Sequence, residues 1–448
     1  MFTIRNTLRM LPPALSLAML LALLLPLPAS AVPSFSRQTG RPCAGCHTMI
    51  PELNQYGREF KLTGFVAGDK LDTEKWPLRL PLSLSAVVSN TSARKTSDAP
   101  DSFPHDRDTI LQDVSIYYGG RIAGYVGALV QYKYHAAQDD KWATEMAEVR
   151  YANETTVGKE QRLIYGITVN NNPTIADVYN STPMWSFPHQ SSPVAVIPNA
   201  AAIVDNSLAS QVGGVGVYAL WNDLIYAEVD VYHKGTGVFH PLASGVQIAH
   251  VLDGNAPYWR LAFQYEAKPH SFEIGTYGLN AKVFPNAAQP TGPSDHFRDV
   301  AFDTQYDYIK GQHCLAVHAT YIHEQQAWDA SFPQGMSSNP SSTLKTFRTD
   351  VHYTYRHQYA GMIQYFSTSG DVDMVRYNSG DAVFGSASGS PNTSGWKPQI
   401  YYLPLDNIQL GVQYTAYTKF NGAGANYSGS GRSASDNNTL YVYAWLLL

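Results

Sequence analysis

The sequence of 448 residues is weakly acidic, with a formal net charge of −5 at pH 7, and only 15% of its residues are charged. This balance gives no reason to expect nucleic-acid binding. Its 30 Tyr and 8 Trp residues favour a β-sheet with aromatic belts. With only three cysteines, a disulfide scaffold is not expected.

The first residues predict export from the cytoplasm. Arg5 and Arg9 precede an apolar run at residues 15–27, and the small residues 29–31 (ASA) fit a cleavage site. Residues 1–31 are therefore predicted to be a secretory signal peptide, with a mature chain beginning at Val32. An uncleaved anchor helix is disfavoured because the apolar core is too short to span a bilayer. Beyond this segment the sequence contains no run of about 18 apolar residues, so no membrane-spanning helix is predicted.

The motif that carries chemistry follows soon after the cleavage site. Cys43 and Cys46 are three positions apart, and His47 follows directly. Two thiols at this spacing can bond to the vinyl groups of a haem, and the adjacent imidazole can bind the iron as proximal ligand. A zinc site would require a second ligand pair, and no second CxxC or CxxH follows. The motif predicts one covalently attached c-type haem.

The residues after the motif are predicted to form a helix. Pro51 suits the first helical position, Glu52 complements the positive end of the helix dipole, and Gly64 ends the helix. One apolar stripe at helical spacing contains Leu53, Tyr56 and Phe60. The haem unit, residues 32–76, is too small to bury a haem alone, so it requires walls from the rest of the chain.

This N-terminal region resembles a known family. The resemblance rests on residues 33–47 (PSFSRQTGRPCAGCH), 51–53 (PEL) and 57–61 (GREFK). These residues are similar to the N-terminal signature of the fused monohaem cytochrome–porins, which include the Fe(II)-oxidising outer-membrane cytochromes of iron-oxidising bacteria. Ser36 and Phe65 depart from the expected Ala and Tyr. The match covers about thirty residues, and the remainder agrees with the family in length and barrel pattern only.

The resemblance implies a function and its partners. The chain would act as an Fe(II):cytochrome oxidoreductase in the outer membrane of a Gram-negative bacterium. Extracellular Fe(II) would give one electron to haem c, and a periplasmic cytochrome c or copper protein would receive it. Two alternatives stay open. One is a porin or channel with a redox-sensitive haem plug, and the other is the same electron conduit with a donor other than Fe(II).

From residue 77 to residue 448 the chain shows strand-length segments with period-two alternation. In the segment 258–266, apolar and aromatic residues occupy one face and charged or polar residues the other. The first face contains Trp259, Leu261, Phe263 and Tyr265, and the second contains Arg260, Gln264 and Glu266. Apolar-out, polar-in alternation is typical of outer-membrane β-barrels. It predicts a mainly β fold with about 16 transmembrane strands, the first at 78–89 and the last at 439–448.

Short and long connections alternate along the predicted barrel, as periplasmic turns and surface loops do. Short turns are predicted at 119–120, 157–158, 221–223, 268–269, 310–311, 357–358 and 404–406. Only about a dozen residues separate the haem helix from the first strand. The small helical cytochrome segment is therefore expected at the periplasmic mouth or inside the lumen, as a plug.

The remaining candidate residues concern the haem and its donor. Possible partners of the haem propionates are Arg37, Arg58 and Lys61. Inward-pointing candidates for the distal iron ligand are Met146, His318, His352 and Met362. Acidic and His residues of the first long loop could bind Fe(II) briefly, although solvated loop charges are the simpler interpretation. These loop residues are Asp98, Asp101, His105, Asp106 and Asp108.

Overall fold

The computed structural model describes residues 33–67, 81–97, 99–136, 140–158, 160–181 and 190–448. The predicted signal peptide, the predicted mature start at Val32, the proposed boundary at residues 76–77 and the loop residue Asp98 lie outside the described residues.

Sixteen strands form one closed barrel, in which each strand pairs antiparallel with the next and the last pairs with the first. The predicted strand number is therefore confirmed. The barrel strands are β3 (Leu82–Ala93), β4 (Thr109–Ala123), β5 (Val126–Tyr134), β6 (Trp142–Val157), β7 (Gln161–Asn170), β8 (Val212–Trp221), β9 (Ile225–Lys234), β10 (Ala256–Ala267), β11 (His270–Val283), β12 (Asp295–Lys310), β13 (His313–Ala327), β14 (Ser341–Tyr355), β15 (Tyr359–Gly370), β16 (Thr393–Leu405), β17 (Ile408–Lys419) and β18 (Thr439–Leu447).

The two faces of the barrel wall differ as the alternation predicts. In β10, the side chains of Trp259, Leu261 and Phe263 are exposed on the outside, whereas Arg260 is buried. In β14, Val351 is exposed and its neighbours along the strand point inward. An apolar outer surface on a closed barrel is the architecture of outer-membrane proteins, because lipid cannot satisfy polar groups.

One predicted turn is wrong. The pair Gly119–Gly120 lies inside β4, which continues to Ala123. A Cβ atom on Gly120 would lie only 2.8 Å from the side-chain oxygen of Gln38, so this glycine permits close approach of the N-terminal residues rather than a turn. The other predicted short turns do connect successive strands. The first strand of the barrel, β3, extends four residues beyond its predicted end at residue 89.

Residues 33–66, called here the N-terminal segment, contain α1 (Pro33–Thr39), a 3-10 turn (Cys43–Gly45), β1 (His47–Met49), β2 (Glu52–Leu53) and α2 (Gln55–Leu62). The prediction that the helix begins at Pro51 is wrong. It begins after Asn54, whose side-chain oxygen accepts a hydrogen bond of 3.0 Å from the backbone N–H of Gly57. The helix ends before Gly64, as predicted, and that glycine has a φ of 75°.

The N-terminal segment lies within the barrel, at the end where the short turns are. Arg58 forms an ion pair of 3.0 Å with Glu266, which precedes the turn between β10 and β11. The Tyr218 hydroxyl of β8 donates to the backbone oxygen of Leu62 at 2.8 Å. Further contacts come from β4, where the Arg121 N–H donates to the Gln38 side chain at 3.0 Å, and from β14, where His352 lies 3.1 Å from Glu52. The wall therefore surrounds the segment. No helix among the described residues is long and apolar enough to cross a membrane.

A second element enters the lumen between β7 and β8. The inward loop, residues 171–181 and 190–211, contains the short helix α3 (Pro173–Ala176). Its Tyr179 hydroxyl donates to Gln264 of β10 at 2.9 Å, and its Val204 N–H donates to Asp299 of β12 at 2.9 Å. The described parts of the inward loop and the N-terminal segment therefore both lie in the barrel interior.

Candidate functional site

The CxxCH motif is held in a compact turn. The backbone N–H of Cys46 donates to the carbonyl of Cys43 at 3.0 Å, and the N–H of Asn54 donates to the carbonyl of Cys46 at 2.9 Å. Helix α2 packs directly on this turn, because a Cβ atom on Gly57 would lie 2.2 Å from the Cys46 carbonyl oxygen. The two thiols and the His47 imidazole therefore line the same cavity.

This cavity has a volume of about 90 Å³, which is smaller than typical small-molecule and cofactor sites, so a group as large as a haem requires the lining side chains to move apart. Phe35 packs against both Phe60 and Phe65, with ring centroids 5.1 and 5.5 Å apart. The apolar lining residues are Phe35, Leu53, Phe60, Phe65, Leu129 and Met146. Leu129 and Met146 come from barrel strands, so the wall completes a pocket that the segment alone could not close.

The orientation of His47 is fixed by its backbone neighbours. Its Nδ1 atom lies 3.1 Å from the carbonyl oxygen of Pro51 and 3.2 Å from that of Glu52. Carbonyl oxygens only accept hydrogen bonds, so Nδ1 carries a proton, and in the neutral imidazole the lone pair is then on Nε2. Metal-binding histidines in proteins are commonly held in this way, with the second nitrogen donating to a backbone carbonyl.

In the chemistry of their side chains, the residues present fit a c-type haem. Two thiols, an imidazole with an oriented lone pair and an aromatic, largely apolar pocket are the groups that such a haem requires. Burial raises the pKa of the Cys46 thiol, and the nearby Arg41 guanidinium acts in the opposite direction. Arg41 lines the cavity and stacks over Tyr56, with its guanidinium carbon 3.9 Å from the ring centroid.

The four candidates for the distal ligand are separated by the structure. Met146, from barrel strand β6, lines the same cavity as His47 of the N-terminal segment. His318 and His352 lie instead in a group with acidic side chains. Met362 packs with Met49 in another apolar cluster. Met146 is therefore the candidate best positioned to reach a group held by His47.

The candidate propionate partners also differ in position. Lys61 lines the cavity, with its Nζ atom 3.3 Å from the Glu148 carboxylate. Arg37 donates to a backbone carbonyl, and Arg58 pairs with barrel carboxylates; neither lines the cavity. Sequence reasoning did not select Arg41, although its place two residues before the first thiol was a usable signal.

Sequence reasoning also missed a group of possible metal ligands. The side chains of Glu52, His318, Asp350 and His352 offer ligand atoms that all lie within 4.8 Å of one another. No comparable group is formed among the described residues of the first long loop. Two of the four residues were selected by inward alternation, but their partners were not.

Comparison with known proteins identifies no family. The sequence matches no protein-family model and no curated protein. Among solved structures, OmpT, an outer membrane protein of Vibrio cholerae, is 8% identical over 82% of this chain and 96% of that chain, with a TM-score of 0.42. Salmonella typhi OmpF, in a complex with daunomycin, is 11% identical over 82% of this chain and 97% of that chain, with a TM-score of 0.43. The closed barrel is established by the strand pairing of the chain itself.

Proposed function

We propose that the protein is an outer-membrane cytochrome–porin. It oxidises extracellular Fe(II) by one-electron transfer to a single c-type haem and delivers the electron to a periplasmic carrier. The observation that carries the proposal is the cavity lined by Cys43, Cys46 and His47 inside a closed barrel. A c-type haem exchanges one electron at a time, which suits the Fe(II)/Fe(III) couple.

The residues of this chain have distinct roles in the proposal. Cys43 and Cys46 would hold the haem through two thioether bonds. His47, kept in orientation by the carbonyls of Pro51 and Glu52, would bind its iron, and Met146 of β6 would be the second protein ligand. The aromatic side chains around the cavity exclude water, and lower water access raises the reduction potential of a haem.

The position of the cavity supports delivery of the electron to the periplasm. Short turns face the periplasm in outer-membrane barrels, and long loops face the outside. The Cys43 thiol approaches the carbonyl oxygen of Asp406, in the short connection between β16 and β17, at 3.7 Å. A group attached there is close to the periplasmic mouth, within reach of a soluble carrier.

A donor screen on the purified holoprotein tests this function. The oxidised protein is titrated anaerobically with Fe(II), and separately with reduced sulfur compounds, while its absorbance spectrum is recorded. We expect one equivalent of Fe(II) to reduce one haem. A haem that stays oxidised with Fe(II) at the working pH of the organism, or that another donor reduces instead, would contradict Fe(II) as the substrate.

A further inference from the structure

A second cluster of ligating side chains lies beside the candidate haem cavity. It consists of Glu52 from the N-terminal segment and His318, Asp350 and His352 from the barrel wall. His352 Nε2 lies 3.1 Å from Glu52 Oε2, and His318 Nδ1 lies 3.1 Å from Asp350 Oδ2. Glu52 also faces the second imidazole, since its Oε1 atom is 4.0 Å from His318 Nδ1.

We propose that these four side chains bind one divalent first-row transition-metal ion, Fe(II) in the native protein, at a site separate from the haem iron. Two imidazoles with two carboxylates form a donor set that suits such ions, and two histidines with one carboxylate are the common ligand set of non-haem Fe(II). Ligand atoms about 2.1 Å from one ion lie at most about 4.2 Å apart. The observed limit of 4.8 Å is therefore close to the spacing required.

The barrel wall holds three of the ligands on a rigid scaffold. His318 of β13 is directly opposite Asp350 of β14 in the strand register, and His352 is two positions further along β14 on the same face. Three inward side chains are therefore fixed by strand pairing. Glu52 approaches from the lumen side and completes the group, so the site exists only when the N-terminal segment is docked.

Burial and unmet hydrogen bonding point to a ligand. His352 is fully buried, and Glu52 and Asp350 are 2% and 4% exposed. Within the described part of the chain, Nε2 of His318 has no hydrogen-bond partner, and the ring nitrogens of His352 face the carboxylates of Glu52 at 3.1 Å and Asp350 at 3.6 Å without forming a hydrogen bond. A buried polar atom without a partner is costly, and a bound cation both uses imidazole lone pairs and neutralises two carboxylates.

The proposed site is joined to the candidate haem ligand through one residue. The carbonyl oxygen of Glu52 lies 3.2 Å from Nδ1 of His47, and its carboxylate belongs to the cluster. The inference does not depend on the identity of the haem donor. It adds a binding position for a metal ion inside the lumen, next to the segment that carries the CxxCH motif.

Metal analysis of tag-free, full-length holoprotein tests the site. The protein is treated with a chelator, incubated anaerobically with Fe(II), separated from unbound ion and analysed for metal; Co(II) is used in parallel because its ligand-field absorbance reports nitrogen and oxygen ligands. We expect one bound ion per chain in addition to any haem iron. His352→Gln and Asp350→Asn are each expected to weaken binding about tenfold or more.

The controls separate this inference from the proposed function. His323→Gln changes another histidine of β13, whose side chain lies on the opposite face of the strand from His318. This variant is expected to bind the ion as the parent protein does. The haem spectrum is expected to persist in all three variants. If the parent protein binds no ion, or if binding is unchanged in both cluster variants, the cluster is a buried ion-pair group and the proposal is overturned, whatever the haem does.

Discussion

The imidazole Nδ1 atom of His47 lies 3.2 Å from the backbone carbonyl oxygen of Glu52. The same Glu52 directs its carboxylate to His352 of the barrel wall, at 3.1 Å. One residue of the β1–β2 hairpin therefore orients the candidate haem ligand and contacts the wall at once. The position of the CxxCH motif in the lumen is consequently tied to the register of β13 and β14.

Removing one thiol is expected to change how the haem is attached. Cys46→Ala leaves a single thioether, so the reduced protein should show a red-shifted α-band and a lower haem content. Cys314→Ala is the matched control, because Cys314 is buried in β13 and does not line the cavity. Absorbance spectra of the purified variants decide the matter. Equal spectra for both variants would argue against attachment at Cys46.

Met146→Ala tests the distal ligand. If Met146 binds the iron, the variant loses the absorbance band of sulfur–iron ligation in the oxidised protein, and its reduction potential falls because methionine ligation raises it. Met362→Ala removes a methionine that is equally buried but packs in a different cluster. Both changes should lower stability by about 2–5 kcal/mol as large-to-small substitutions. The prediction is wrong if the sulfur band survives in Met146→Ala.

Gly57→Ala is expected to disturb the motif by steric conflict. The added methyl group would lie 2.2 Å from the Cys46 carbonyl oxygen, so α2 or the CxxC turn must move. Overpacking of this kind lowers the free energy of unfolding by about 1–3 kcal/mol. Haem content per chain should fall, whereas Gly361→Ala, whose Cβ meets nothing within 4 Å, should match the parent. Unchanged haem content in Gly57→Ala would show that the described contact is not required.

Two ion pairs that join the N-terminal segment to the wall should differ in strength. Arg58→Met breaks a buried ion pair with Glu266. It is expected to lower the free energy of unfolding by about 3 kcal/mol, the lower end of the range for breaking buried pairs. Glu59→Gln breaks a pair with Arg162 in which both side chains are about one-third exposed, and should lower the stability by only about 0–1 kcal/mol. The denaturant midpoint, followed by the shift of the haem absorbance as the iron ligands change on unfolding, measures both. Similar midpoints would indicate that the Arg58 contact does not hold the segment.

The channel alternative predicts a different measurement. Since the N-terminal segment and the inward loop occupy the lumen, the parent protein is expected to conduct poorly in planar bilayers in both redox states. Deletion of residues 33–66, with the signal peptide kept, should raise the conductance severalfold. A large conductance of the parent that changes with haem oxidation would instead favour the redox-gated porin.

Strand number and facing could be predicted because they depend on local alternation. Trp259 and Arg260 are adjacent in sequence, and the pleat alone sends them to opposite faces of the wall. The mistaken turn at Gly119–Gly120 has another origin. A glycine that permits a close approach by a distant residue, here Gln38, looks in sequence like a glycine that permits a turn.

The candidate site could be predicted only in part, because some of its residues are brought together by contacts between distant parts of the chain. The CxxCH motif is local, and so were the inward positions of Met146, His318 and His352. Glu52 was interpreted as a helix-dipole partner, because nothing local indicates that it meets side chains almost 300 positions later. Only the strand register and the docking of the N-terminal segment bring that group together.

Haem stoichiometry after acid–acetone extraction tests whether this chain carries a covalently bound haem. We expect the purified protein to retain one haem per chain, because thioether bonds at Cys43 and Cys46 resist extraction. A protein that contains no haem, or one whose haem passes entirely into the organic phase, would contradict it.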